Sequence, residues 1–492
     1  MELKRVPYKW IVAAIFVTGL FMDIMDTTII NVAIPSLVKD LHTTASTVEW
    51  VVLGYLLSLA VWIPASGWVG DRIGTKKTFL FALFAFTAAS ALCGLSQNVG
   101  QLIAFRILQG VGGGMLTPVG TAMLFRAFPP AERAKASAVL MVPAVFAPAL
   151  GPVIGGWLVT DVSWRLIFFV NLPVGVAGFI FGALFLKEHK EPSAGRFDLP
   201  GFVLSGGGLA LALYALSQGP SAGWGSATVL WPGILGIAMF VALVIVELRT
   251  AQPMLDLRLF REPMFRNANI VMSLATAGLI GVLFLLPQFL QDLRGLTALQ
   301  SGLATFPQAV GMMLAIRFVA KLYPKVGPRR IVIAGLLAVT ATTSCFLLVD
   351  LHTSLWLIRG LMLLRGISMA AAFIPLQAAT YTNISRANTG RASALFSTQR
   401  QVGAAFGVAI LATVWISRTK SLTGRASGDA ALIAARVAGF HQAFLAAALL
   451  ALAAAGAALM IRDSHAAASL PTHFGKLETT EASEVLSVVG GD

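Results

Sequence analysis

The feature that most constrains this chain is the recurrence of apolar stretches long enough to cross a bilayer. Trp10 to Ile34, Phe79 to Leu95 and Phe440 to Ile461 each come close to the roughly 20 mostly apolar residues that span a hydrocarbon core about 30 Å thick. Only 12% of the 492 residues are charged, against about 25% in a typical soluble domain. In lipid every backbone N–H and C=O must be bonded within its own segment, and runs this long without a period of two exclude a barrel. The chain is predicted to be an all-α integral membrane protein.

Fourteen helices are predicted, at approximately 10–34, 47–66, 78–96, 101–125, 136–160, 165–187, 199–218, 228–248, 267–290, 298–320, 331–350, 355–381, 392–416 and 437–462. With both termini in the cytoplasm, the inner segments carry 24 Lys and Arg and the outer ones 7; the other five, Arg106, Arg317, Arg359, Arg365 and Arg400, fall within helices. This asymmetry follows the positive-inside rule, although the outer segment 417–436 holds four of the seven. It also absorbs the net charge of +14, because no separate basic domain exists to hold nucleic acid. Cys93 and Cys345 sit in apolar stretches and are read as reduced thiols. The run after the basic segment Met1–Lys9 lacks a small-residue cleavage site and is read as helix 1. The acidic tail 463–492 is expected to be disordered and cytoplasmic.

The chain also repeats itself. Pro35, Leu37, Asp40 and Leu41 return as Pro287, Phe289, Asp292 and Leu293. Arg72, Gly74, Lys76 and Lys77 return as Lys325, Gly327, Arg329 and Arg330, and Lys135-Ala-Ser-Ala138 returns as Arg391-Ala-Ser-Ala394. Four matches in one order at nearly one offset, the two cysteines included, predict two six-helix halves, 1–187 and 266–462, with helices 7 and 8 inserted over 188–265. Parallel repeats place a substrate site at their interface, near the midplane.

The loop Gly67-Trp-Val-Gly70-Asp71-Arg72-Ile-Gly74-Thr-Lys76-Lys77 resembles the helix 2 to 3 signature of the major facilitator superfamily. Helix 1 carries Asp26-Thr-Thr-Ile-Ile-Asn31-Val-Ala-Ile-Pro35, helix 4 Arg106-Ile-Leu-Gln109-Gly110, and helix 5 Leu150-Gly151-Pro152-Val-Ile-Gly155-Gly156. With Trp164-Arg165 and Asn171-Leu-Pro173-Val-Gly175, these resemble the fourteen-helix drug:proton antiporters of the EmrB/QacA type. The resemblance implies a major facilitator fold, export, and a latch at the loop, built on Gly67, Asp71, Arg72, Gly74 and Lys76, that holds the outward-open state. Ala147 departs from the glycine usual before the helix 5 motif, and Pro324 stands where Asp71 stands in the first half.

The residues carry their own chemistry. Asp23 and Asp26 are the only acidic residues well inside a predicted helix, and a carboxylate in hydrocarbon must be protonated, paired or wet. Asp26 lies seventeen residues from Lys9 and Arg106 twenty from Arg126, so at about 1.5 Å per residue their depths differ by only about 5 Å. Asp26, Asp23 and Arg106 are therefore the candidate proton-coupling set. Gln109 and Gly110 share the arginine's helical face, which is expected to open toward the interior. Ala147, Gly151 and Gly155 form a small-residue stripe that admits a close helix, and Pro143, Pro148 and Pro152 favour bends. The resemblance implies that Asp71 docks on a helix N-terminus or on an arginine across the inner interface. Arg359, Arg365 and Arg400 are further polar groups inside the membrane, whereas Arg317, about a turn from Lys321, is expected to snorkel inward.

No His/Glu metal spacing, serine nucleophile motif or phosphate-cradling loop appears, so neither an enzyme nor a metal site is expected. Protons are the expected coupling ion, with no other cofactor. The expected partners are a small amphipathic molecule and the lipid bilayer of the bacterial cytoplasmic membrane; a periplasmic adaptor is left open. An exporter dedicated to one native lipid or metabolite, and an importer of the same fold, stand as alternatives.

Overall fold

A computed structural model describes residues 6–129, 132–191, 195–424 and 428–464, and within them the chain is helical throughout. The first group is α1 (Tyr8–Asp40), α2 (Ala45–Ile73), α3 (Thr75–Leu95), α4 (Val99–Ala127), α5 (Arg133–Asp161) and α6 (Leu166–Phe185). A pair follows, α7 (Leu199–Ala222) and α8 (Ala227–Arg249). The last group is α9 (Pro263–Leu293), α10 (Leu299–Val326), α11 (Pro328–Leu348), α12 (Leu355–Thr380), α13 (Thr389–Thr423) and α14 (Asp429–Ala458). Thirteen of the described helices are long and apolar enough to cross a membrane, and α5 contributes a shorter apolar portion, Phe146–Val159.

Helix limits follow from local chemistry. Asn98 and Ser354 offer side-chain oxygens to the first N–H groups of α4 and α12, and Thr297 with Gln300 forms a capping box ahead of α10. Gly74 and Gly327, equivalent in the repeat, both lie at positive φ, 120° and 84°. There one helix ends and the next begins without a connecting loop, a turn that a side chain would strain. α13 reaches seven residues beyond its predicted end, because Ser417 to Thr423 continue to form helical bonds past the apolar run.

In the first group α2 packs on α4, α4 on α3, α1 on α5 and α3 on α6; in the last, α10 packs on α12, α9 on α13 and α14, and α11 on α12 and α14. The groups meet along a seam where α13 lies against α2 and α4, and α5 against α10 and α12. α7 covers one edge of this seam, touching both α2 and α13. Trp50 stacks on Tyr214 at 5.9 Å between ring centres, and the Trp224 indole donates to Thr413 Oγ1 at 3.0 Å. α8 shows Trp231, Ile237 and Val241 outward, as a lipid-facing helix must.

Candidate transport site and gating contacts

The two candidate acids lie on α1 one turn apart, both buried. Arg106 Nη1 forms an ion pair with Asp26. The other Asp26 oxygen accepts from Gln109 Nε2 at 2.9 Å and Asn171 Nδ2 at 3.1 Å. Arg106 also donates to Gln109 Oε1 at 2.8 Å and, through Nε, to the Val51 carbonyl at 3.1 Å. Its guanidinium lies 4.4 Å from the centre of the Tyr55 ring, a cation–π contact. The Nη2 group finds no acceptor. Asp23 is held differently, by the Tyr55 hydroxyl and by Thr117 Oγ1 at 3.3 Å. α1, α2, α4 and α6 thus converge on two carboxylates and one cation.

Gln109 and Gly110 do not face an opening. Gln109 is buried between Asp26 of α1 and Cys93 of α3, and Gly110 against α2, where a Cβ would lie 2.7 Å from the Tyr55 carbonyl oxygen. Arg365 is fully buried on α12, donating to Gln308 Oε1 at 2.6 Å and toward the Leu279 carbonyl at 3.5 Å, with no carboxylate partner among the described residues. Arg400 is half-buried on α13. Arg359 lies one turn into α12, 4.6 Å from the ring of the exposed Trp356. Arg317 sits on the outer surface beside Leu314 and Phe318, as a snorkelling side chain would.

At the end of the molecule bearing the α2–α3 turn, the groups are locked together. A Cβ on Gly67 would lie 2.8 Å from the Gly390 carbonyl, so only glycine admits this approach of α2 and α13. The Asp71 carboxylate abuts Gly390 in the first turn of α13 and pairs with Arg126 at 2.7 Å. The paired arginine therefore belongs to α4 in the same group, not across the seam, but its Nε reaches across to the Arg386 carbonyl at 3.2 Å. Arg133 donates to the Tyr381 carbonyl, Ser393 Oγ donates to the Pro118 carbonyl at 2.6 Å, and Phe125 stacks on Tyr381 at 4.3 Å. Arg72 is exposed, and Lys76 Nζ caps the Ala183 carbonyl of α6 at 2.7 Å.

Glu188 is an addition that the sequence did not suggest. It follows α6 and accepts from the Lys76 and Lys77 amides at 3.0 and 3.3 Å, an anion on the N-terminus of α3. Asp463 does the same after α14, accepting from the Arg329 amide of α11 at 2.9 Å. Asp463 is thus a helix cap and not part of a tail; residues 465–492 lie outside the described residues.

The α5 stripe faces α1 within the same group. Gly151 abuts Thr28, and a Cβ on Gly155 would lie 2.7 Å from Ile29 Cγ1. Ala147 is buried, Pro148 is half-buried, and Gly156 has nothing within 4 Å of its Cβ position. The side chain of Pro152 lies outside the described residues. No cluster of metal-ligating side chains occurs among the described residues. Cys93 is buried and Cys345 exposed, both free.

Two packed groups of membrane helices, locked together at one end and with a buried charged cluster inside the first, define a multi-pass membrane transporter. The sequence matches the Major Facilitator Superfamily over residues 16–408, and the chain belongs to that family. It is 35% identical over 406 residues to a "Multidrug resistance protein B homolog" of Mycobacterium tuberculosis, covering 82% of this chain and 75% of that one. It is 33% identical over 405 residues to the "Uncharacterized MFS-type transporter YhcA" of Bacillus subtilis, covering 82% and 76%. It is 34% identical over 402 residues to a "Putative multidrug resistance protein MdtD" of Salmonella heidelberg, covering 82% and 84%. Among solved structures, the human organic anion transporter MFSD10 (TETRAN) superposes with a TM-score of 0.66 at 17% identity, over 92% of this chain and 100% of that one. The proton:xylose symporter XylE gives 0.60 at 15%, over 91% and 94%. These two establish the likeness of fold.

Proposed function

We propose that this chain is a proton-coupled antiporter that exports small amphipathic molecules across the bacterial cytoplasmic membrane, with fourteen spans, both termini inside, and six-helix halves over 1–187 and 266–462. The buried Asp26–Arg106 pair carries the reading. Protonating Asp26 removes the anion from a guanidinium that water does not reach and whose Nη2 already lacks an acceptor. Such a charge is costly, so the proton cannot bind without α1 and α4 rearranging, and this ties proton uptake to a change of shape. Asp23, one turn away, is the second carboxylate of the set. The lock around Gly67, Asp71 and Gly390 supports assigning this conformation to the outward-facing state, with the α2–α3 turn on the cytoplasmic side. Relatives named for multidrug resistance support amphipathic substrates and outward transport.

The test is uphill transport in proteoliposomes under an imposed pH gradient. The wild type should concentrate a fluorescent amphiphile on the acidic side. Asp26→Asn should still bind it but fail to concentrate it. Uphill transport by Asp26→Asn would remove Asp26 from the coupling role.

A further inference from the structure

Arg400 plays no part in the contacts described so far, and lipid-embedded cations are rarely idle. It makes no hydrogen bond or ion pair among the described residues. Its level follows from helix register. Ser393 is fixed to the Pro118 carbonyl of α4, and α4 and α13 run in opposite directions. Seven residues are two helical turns, so Arg400 lies on the Ser393 face about 10 Å further along the seam. The same step on α4 leads from Pro118 to Val111, half a turn from Gly113, where a Cβ would lie 3.2 Å from Asp23 Oδ1. Arg400 is accordingly within electrostatic reach of Asp23, yet the two form no ion pair. Arg400 and Thr117 are half-buried, so the packing leaves accessible surface at the seam at this level, with Asp23 buried beside it. Thr398 and Gln399, next to Arg400, carry side-chain oxygens without partners.

The charges at this level can be sorted. Asp26 and Arg106 neutralise each other, and the remaining ionisable side chain on the first group, Tyr55, donates to Asp23. Among the described residues that leaves the anion Asp23 on the first group of helices and, on the second, Arg400 at the seam, because Arg365 is fully buried inside its own group on Gln308 and the Leu279 carbonyl. A ligand with only a cation satisfies the first and repels the second; a ligand with only an anion does the reverse. We propose that the transported molecule is a zwitterionic amphiphile, its cationic group on Asp23 and its anionic group on Arg400, spanning the seam. The inference rests on the proton-exchange reading and deepens it. An ammonium and a proton compete for one carboxylate, which gives exchange. An anion on Arg400 alone would instead favour a proton on Asp23, which gives co-transport.

The experiment uses the purified full chain in nanodiscs and three octyl-chain probes below their micelle concentrations: an alkyl betaine, an alkyl trimethylammonium and an alkyl carboxylate. The wild type should bind the betaine about tenfold or more tighter than either singly charged probe, the range for a hydrogen bond to a charged group. Arg400→Gln should bring the betaine down to the level of the ammonium and leave the ammonium unchanged or tighter, while Arg400→Lys should keep most of the preference. Asp23→Asn should bring the betaine down to the level of the carboxylate. Equal binding of betaine and ammonium by the wild type, unaltered by Arg400→Gln, would overturn the proposal. The two readings fail separately. Uphill transport lost in Asp26→Asn without any betaine preference leaves proton exchange standing and removes the zwitterion; a betaine preference without dependence on the gradient does the opposite.

Discussion

Asp26→Asn keeps the side chain's size and changes one acceptor into a donor. Gln109 and Asn171 point N–H groups at one carboxylate oxygen, and Arg106 points Nη1 at the other. Whichever way the new amide sits, its NH2 meets a donor. Arg106, 0% exposed, is meanwhile left without its anion. Breaking a buried pair by removing one partner costs about 3–5 kcal/mol, a large share of the roughly 5–15 kcal/mol that holds a typical domain folded. Arg106→Gln strands the carboxylate but leaves it two donors, so its cost falls at the lower end of that range, about 3 kcal/mol. The double variant removes both charges, and its cost should fall short of the sum of the two singles by about 2–3 kcal/mol. Unfolding midpoints and slopes for the four proteins in mixed micelles, titrated with SDS at fixed pH, measure the coupling. A value below about 0.5 kcal/mol, the noise expected for independent sites, would refute the reasoning that the pair is held against a dry surrounding.

Gly155→Leu should lower the yield of folded protein, since the side chain meets Ile29 of α1 in the same group, whereas Gly156→Leu should be tolerated; monodispersity on size exclusion compares them. Burial, followed by the Arg126 charge, holds the His189 imidazole below its ordinary value of 6.5. The undocked segment therefore binds a proton more readily, and docking of 187–191 on the α2–α3 turn is undiminished above pH 6.5 and weakens as pH falls through the depressed value. Hydrogen exchange at the Thr75 and Lys76 amides should accelerate at pH 5.5 beyond the intrinsic change in the wild type but not in His189→Gln. With Cys345 replaced, single cysteines at Ser221 and Lys190 should react with an impermeant maleimide from opposite sides, outside and inside; the reverse would invert the topology.

Charge made part of the site legible. A carboxylate or guanidinium within an apolar run is conspicuous because its burial is costly, and the 1.5 Å rise sufficed to match Asp26 with Arg106. Asn171, Ser90, Tyr55 and Thr117 complete the network but are neutral, and such residues enter membrane helices at little cost; Asn171 stood out only as part of a family motif, and nothing in the spacing of the other three sets them apart. Glu188 was hidden for another reason: it caps α3 from 112 residues away, and no local pattern reports a contact at that range. The small-residue stripe of α5 announced a close helix without saying which; the neighbour is α1. Gly156 falls off the stripe because one residue is a turn of about 100°.

The two halves are alike in frame and unlike in charge. Gly74 and Gly327 turn equivalent corners, and Glu188 and Asp463 cap the equivalent helices α3 and α11, yet the offset that carries Asp26 into the second half lands on Gly278. Near that position Arg365 is buried against Gln308 and the Leu279 carbonyl, with only neutral acceptors. Two arginines, equally inaccessible, should therefore answer differently to the same substitution. Arg106→Met strands a carboxylate and should cost about 3–5 kcal/mol. Arg365→Met removes a desolvated charge and leaves two neutral acceptors, whose loss of about 1 kcal/mol each is offset by relief of that desolvation. Its expected effect on the SDS midpoint is small or stabilising. A destabilisation equal to that of Arg106→Met would mean that Arg365 meets a carboxylate in another conformation, and that the second half takes part in proton exchange.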